Sequence, residues 1–150
     1  MSKKTIIFLC LLILSPIIIY FLWPSDENRI KKLFREGAKA VQEENLDEVM
    51  SKVSFNYSDD HSMTYLTIKD GMKKVFQQMD SISVEYEIKN IEIRDKAALV
   101  ELDLRVVASF GQDTGYVLGD IDKPAHMTFY LDKERGKWLV GKTKGIRLYF

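Results

Sequence analysis

Residues 81–108 read SISVEYEIKNIEIRDKAALVELDLRVVA, and their apolar positions recur with a period of two. Ile82, Val84, Tyr86 and Ile88 alternate with Ser83, Glu85, Glu87 and Lys89, the pattern of a strand with one buried and one wet face. The parity shifts at Asn90 and resumes at Ile91 and Ile93, which predicts a β-bulge near Lys89 and Asn90. Arg94-Asp95-Lys96 turns the chain. Ala98, Val100, Leu102, Leu104, Val106 and Ala108 then form a second inward row, opposed by Glu101, Asp103 and Arg105. Two long alternating runs predict curved antiparallel strands.

Downstream, Phe110 to Pro124 reads as a loop with three glycines and three aspartates. Met127, Phe129 and Leu131 predict a third strand, Lys133-Glu134-Arg135-Gly136 a hairpin turn, and Trp138 to Leu148 the last strand. Upstream the period is 3.6. Ser25 caps a helix with Asp26 and Glu27 in its first turn, where acids suit the positive end of the dipole. Ile30, Leu33, Phe34, Gly37, Ala38 and Val41 make its apolar stripe. Asn45 with Glu48 resembles a capping box for a short helix carrying Leu46, Val49, Met50 and Val53. Phe55 and Tyr57 alternate with polar residues, residues 58–62 are a loop, and Thr67 and Asp70 open a third helix bearing Ile68, Met72, Val75, Phe76 and Met79. Phe34, Phe76, Leu102, Leu104 and Phe129 are expected to pack together.

Before all this lies Thr5 to Trp23, nineteen residues without a charge. As a helix it measures about 28 Å, the hydrocarbon thickness of a bilayer. Tyr20 and Trp23 sit at its end, where amphipathic rings favour the interface. No small residues suited to signal cleavage follow it, so an uncleaved anchor is expected. Lys3 and Lys4 precede the span, while Arg29, Lys31, Lys32, Arg35 and Lys39 follow it. Because the latter belong to a folded helix, the tail is read as cytoplasmic and the domain as extracytoplasmic. The organisation expected is therefore residues 1–24 as cytoplasmic tail and transmembrane anchor, making a single-pass membrane protein, and residues 25–150 as one α+β domain.

Composition narrows the function. Hydrophobic residues are 46% and charged residues 29% of the 150, which excludes a disordered chain. Without Lys3 and Lys4 the remainder holds 20 basic and 22 acidic residues, too acidic for a nucleic-acid binder. The one cysteine, Cys10, lies in the apolar span, so disulfides and thiolate chemistry are excluded from the domain.

Helices first, then long bent strands, indicate an α+β layer fold. The chain from Pro24 to Phe150 resembles the nuclear-transport-factor-2-like (SnoaL-like, cystatin-like fold) superfamily. The resemblance rests on Glu36-Gly37-Ala38-Lys39-Ala40-Val41 in the first helix, on Ser54-Phe55-Asn56-Tyr57-Ser58-Asp59, and on the hairpin from Leu131 to Trp138. It implies a cone-shaped bent antiparallel sheet wrapped around the N-terminal helices. Enzymes of that superfamily place acids, histidines or tyrosines inside the cone.

The rows Val100 to Ala108 and Met127 to Leu131 offer none, and Asp103, Arg105, His126 and Tyr130 fall on the opposite parity, facing solvent or a partner. No catalytic residue of the superfamily transfers to a matching position. The best-placed acid–base candidates are Tyr57, Asp59, Asp60 and His61, with Tyr65 nearby; a solvated loop is the favoured reading. Asp113, Asp120 and Asp122 lack the density of a calcium loop, and His61 and His126 lack zinc-ligand spacing, so neither metal nor cofactor is expected. Gly111, Gly115 and Gly119 are read as turn residues. Lys137, Lys142, Lys144 and Arg147 admit a patch for anionic lipid or an acidic partner, but lysines guarding an edge strand are favoured. The function expected is a tethered, non-enzymatic binding or scaffold domain. Its partners would be the membrane, through Thr5 to Trp23, a small apolar ligand or a protein, and a second copy through the outer sheet face. The alternative is an isomerase, cyclase or hydrolase using the Asp59–His61 region.

Overall fold

The computed structural model describes residues 12–16 and 24–145. Residues 12–16 are helical, and the rest of the expected anchor, Thr5 to Trp23, lies outside the described residues. Among the described residues no helix is long and apolar enough to cross a membrane.

Helix α1, Asp26–Gln42, starts where the Asn28 N–H donates to the Ser25 hydroxyl. Its Ile30, Leu33 and Ala40 are buried. Lys31, Lys32 and Lys39 each pair with a glutamate one turn away, which adds a few tenths of a kcal/mol per pair at this exposure, about 0.3–0.5. Helix α2, Leu46–Met50, is capped as expected by Asn45, which accepts from the Glu48 N–H. Helix α3, Tyr65–Gln78, begins earlier than its expected Thr67 start. Thr64 is the cap, because its hydroxyl accepts the Thr67 N–H that an uncapped first turn would leave orphaned.

Among the described residues five strands form one antiparallel sheet: β1 Asp80–Arg94, β2 Ala97–Phe110, β3 Asp113–Leu118, β4 Ala125–Glu134 and β5 Lys137–Lys144. Their order is β1-β2-β4-β5, with β3 paired to the far end of β2. The expected bulge is present: Ile88 opposes Leu102 and Asn90 opposes Glu101, leaving Lys89 as the extra residue. Asp95 takes φ 53° in the β1–β2 turn, a left-handed conformation that aspartate tolerates. The loop expected from Phe110 to Pro124 contains a strand of six residues, Asp113–Leu118. Thr114, Gly115 and Tyr116 pair with Ser109, Ala108 and Val107, so Gly115 sits in a strand rather than a turn. Backbone pairing with β2 outweighs the weak strand preference of glycine and aspartate there. The last strand is described only to Lys144, and Leu148 lies outside the described residues.

The core forms where α1 lies across the sheet. Ile30 and Leu33 meet Ala98, Val100, Leu131, Trp138 and Val140, with Phe34 edge-on to Phe129 at 5.1 Å. Leu102 is buried as expected, but Phe34, Phe76, Leu104 and Phe129 are only half-buried; Phe76 lies on α3, which packs on α2 and buries only Gly71. Gly119 (φ +72°) is boxed in by main chain, where a Cβ would stand 2.8 Å from the Leu104 carbonyl oxygen and 3.0 Å from the Ala125 nitrogen.

Two substitutions test the assignment of faces. Leu102→Ala should cost about 2–5 kcal/mol in urea unfolding, and Glu85→Ala on the exposed face should stay within about 0.5. Equal effects would reverse the inward and outward rows.

Candidate functional site

The candidate acid–base residues sit on a segment that seals the edge of β5. The Ser54 N–H donates to the Val140 carbonyl, the Val140 N–H to the Lys52 carbonyl, and the Ser58 N–H to the Gly141 carbonyl. Val53 thereby forms a parallel bridge with Val140. This addition carries Tyr57 into the interior, where it is 3% exposed.

What Tyr57 meets there is set by a bulge. Leu131 opposes Val140 and Tyr130 opposes Lys142, so Gly141 is the extra residue. Beyond it the parity of β5 reverses, and Thr143 comes opposite Phe129, whose ring packs on the core. The Tyr57 hydroxyl lies 2.6 Å from the Thr143 hydroxyl and donates to Asp59 Oδ2 at 3.3 Å. Burial is the main cause that pushes the Tyr57 phenol above its ordinary pKa; the Thr143 hydrogen bond works against it and the Asp59 carboxylate reinforces it.

Asp59 is committed to the backbone. Its Oδ1 accepts the N–H groups of His61 at 2.9 Å and Met63 at 3.0 Å, and its carbonyl accepts from the Ser62 N–H. This aspartate closes a tight loop on itself. Asp60 is exposed and accepts from the Lys142 ammonium at 2.6 Å, with Lys144 3.7 Å from its other oxygen. The Lys142 hydrogen bond holds the Asp60 carboxyl below the usual carboxylate range. His61 is exposed, and Asp59 binds its main chain, not its ring. Tyr65 stacks on the largely exposed Phe55 with ring centres 4.5 Å apart. Of the candidates, then, the structure brings together Tyr57 and Asp59 and leaves Asp60 and His61 outside. Thr143 is the member that sequence reading missed; Gly141 inside a strand was the signal for the bulge that turns it inward.

The inward rows of β2 and β4 from Ala98 to Ala108 and from Met127 to Leu131 carry only apolar side chains. On the outer face His126 Nδ1 lies 3.0 Å from Asp103 Oδ1, and this contact, before the nearby Lys89, lowers the Asp103 pKa. Asp113 opens β3, and Asp120 accepts the Ile121 N–H. Among the described residues no three acids, histidines or cysteines gather as metal ligands.

No protein-family model matches the sequence, and no curated protein does. Solved structures do match the fold. A nuclear-transport-factor-2-like protein of unknown function from Shewanella oneidensis has a TM-score of 0.59 at 17% identity, covering 79% of this chain and 97% of its own. A cystatin-like-fold protein of unknown function from Nostoc punctiforme gives 0.62 at 15% identity over 79% and 87%. A protein from Novosphingobium aromaticivorans, provisionally named a scytalone dehydratase, gives 0.68 at 10% identity over 83% and 89%. The expected α+β fold with a curved antiparallel sheet is thus the cystatin-like fold. At these identities the likeness is one of fold.

The buried phenol gives a pH prediction. Its folded pKa lies above the unfolded value near 10. The fold therefore favours the neutral phenol, and that contribution is full below pH about 10 and lost as pH rises through the folded value. One of the seven tyrosines should ionise late in an absorbance titration, and Tyr57→Phe should remove that step. The same variant leaves Thr143 and Asp59 short of a partner and should cost about 1–3 kcal/mol.

Proposed function

We propose that this chain is a membrane-tethered domain on the extracytoplasmic side that binds a small apolar ligand or a protein partner and performs no chemistry. The observation that carries this reading is how the Asp59 oxygens are used. One takes two backbone N–H groups and the other faces the Tyr57 hydroxyl. A general base needs a free lone pair within reach of a substrate proton. Here about three of the four lone-pair sites are already taken, two by loop N–H groups and one by the buried Tyr57 hydroxyl. The inward rows of β2 and β4 suit apolar contact, and the mixed outer face with Asp103, His126 and Tyr130 suits a second copy of the chain.

The tether rests on the uncharged span from Thr5 to Trp23. A second reading, an isomerase, cyclase or hydrolase of a small apolar substrate, draws on the buried Tyr57–Asp59 contact at 3.3 Å. The two readings separate at His61. Its exposed ring is dispensable to a binding domain, whereas the enzyme needs it as the imidazole of its Asp59–His61 region.

Alkaline carbonate extraction should leave the chain in the membrane fraction, and protease added outside spheroplasts should digest residues 25–150. Release by carbonate would remove the anchor from the proposal; protection until lysis would reverse its topology. In cells lacking the chain, His61→Ala should restore function fully. Failure of this variant to do so, with the protein present at normal level, would favour the enzyme.

A further inference from the structure

We infer that the end of the domain where α1 begins is a docking face for the anionic headgroups of the membrane that holds the chain. This rests on the tether proposed above. Only Pro24 separates Trp23, the last residue of the apolar span, from the cap residue Ser25. The two steps from Trp23 to Ser25 reach at most about 7 Å, so whichever surface surrounds the start of α1 is held close to the bilayer.

That surface is built from two hairpins. The Asp26 carboxylate accepts from the Lys133 ammonium at 2.8 Å and from the Trp138 indole N–H at 3.1 Å, and the Arg29 guanidinium donates to the Gly136 carbonyl at 3.4 Å. The Lys133 N–H donates to the Lys96 carbonyl at 2.8 Å, which fastens the β4–β5 hairpin to the β1–β2 hairpin. The start of α1 and both hairpin tips therefore share one end of the domain. Between the tips lies an open recess of about 350 Å³ lined by Asp95, Lys96, Lys133, Arg135 and Gly136.

Charge selects the partner. The two turns hold the cations Arg94, Lys96, Lys133, Arg135 and Lys137 against the acids Asp95 and Glu134. Glu134 is turned away to the Ser54 hydroxyl, and Lys133 is taken by Asp26. Arg94 has only a long contact to Glu92 at 3.6 Å, and its side chain is 87% exposed. Lys96, Arg135 and Lys137 are exposed and form no ion pair among the described residues. By contrast Lys142 and Lys144 are answered by Asp60. Unanswered cations held within a few ångströms of a bilayer fit anionic headgroups, and the attraction decays over a Debye length of about 10 Å at 0.1 M salt. The recess places Lys96 and Arg135, beside Asp95 and the Asp26-paired Lys133, around a space large enough for a headgroup phosphate.

The full chain in lipid nanodiscs tests this. Lysine acylation by a water-soluble reagent, read by mass spectrometry, would be compared between phosphatidylcholine discs and discs one-third phosphatidylglycerol. Lys96 and Lys137 should react at least about three-fold more slowly in the anionic discs at low salt and recover at high salt. Lys73 and Lys74 are exposed on α3, which leads into β1 at the end opposite the Arg94 turn, and should not change. Equal rates at Lys96 and Lys137 in both lipids, with the chain still co-eluting with the discs, overturn the docking face alone. A chain that does not co-elute with either disc overturns the anchor, and the face with it.

Discussion

The candidate site depends on one inserted residue. Without the bulge at Gly141, strict alternation would send Thr143 outward and drive Lys142 and Lys144 into the apolar interior, at the cost of burying two ammonium groups. With it, Thr143 meets Tyr57, and Lys142 and Lys144 reach Asp60. A Cβ at this point would displace the Asp132 carboxylate, the free end of an exposed side chain. The bulge also coincides with the carbonyl that Ser58 uses to attach its segment to β5. One glycine thus decides both what the interior contains and how the sheet edge is closed, which removes an exposed template for pairing with other chains.

The polar groups at this place are each satisfied from within the chain. Among the described residues no buried side-chain oxygen or nitrogen lacks a hydrogen-bond partner. Such a network specifies a single local structure, and it leaves little free capacity for a reacting substrate. A second polar junction does comparable work at the other end of the domain, where Asp26 gathers Lys133 and Trp138. The Lys133 hydrogen bond, then that of Trp138, lowers the Asp26 pKa. Since its folded value is depressed, the contribution of this junction is present above the ordinary carboxylate pKa and lost as pH falls through the folded value. Helix and hairpins are held together at neutral pH by the ionised form.

Most of the fold was legible because its signals are local. The alternation in β1 and β2, the Lys89 bulge, the Ser25 and Asn45 caps and the Arg135-Gly136 turn each depend on a few neighbouring residues. What escaped reading depends on residues distant in sequence. Strand β3 exists because β2 extends past the end of β4 and offers free backbone groups to residues 113–118, where Thr114, Tyr116 and Val117 suit a strand and Asp113 and Gly115 do not. The site was legible only as a list of residue types near position 59. Its partner Thr143 lies 86 positions away from Tyr57, and no periodicity within either segment connects them. The half-burial of Phe76 escaped for the same reason, since an apolar stripe says that a face is covered but not by which element.

The two ends of α1 have different tasks, and the difference follows from which hydrogen bonds hold them. At its far end Gln42 accepts the Val84 N–H through a neutral amide, and the helix passes directly into α2 through the Asn45 cap. Around its start charged groups dominate: Asp26 pairs with Lys133, Arg29 donates to a hairpin carbonyl, and Lys96, Arg135 and Lys137 form no ion pair among the described residues. Charge at a protein surface is cheap in water and becomes useful only against an opposite field. In the tethered binding domain we propose, ligand recognition would fall to the apolar rows, and the cations gathered where the chain enters the domain would set how the domain stands on its support.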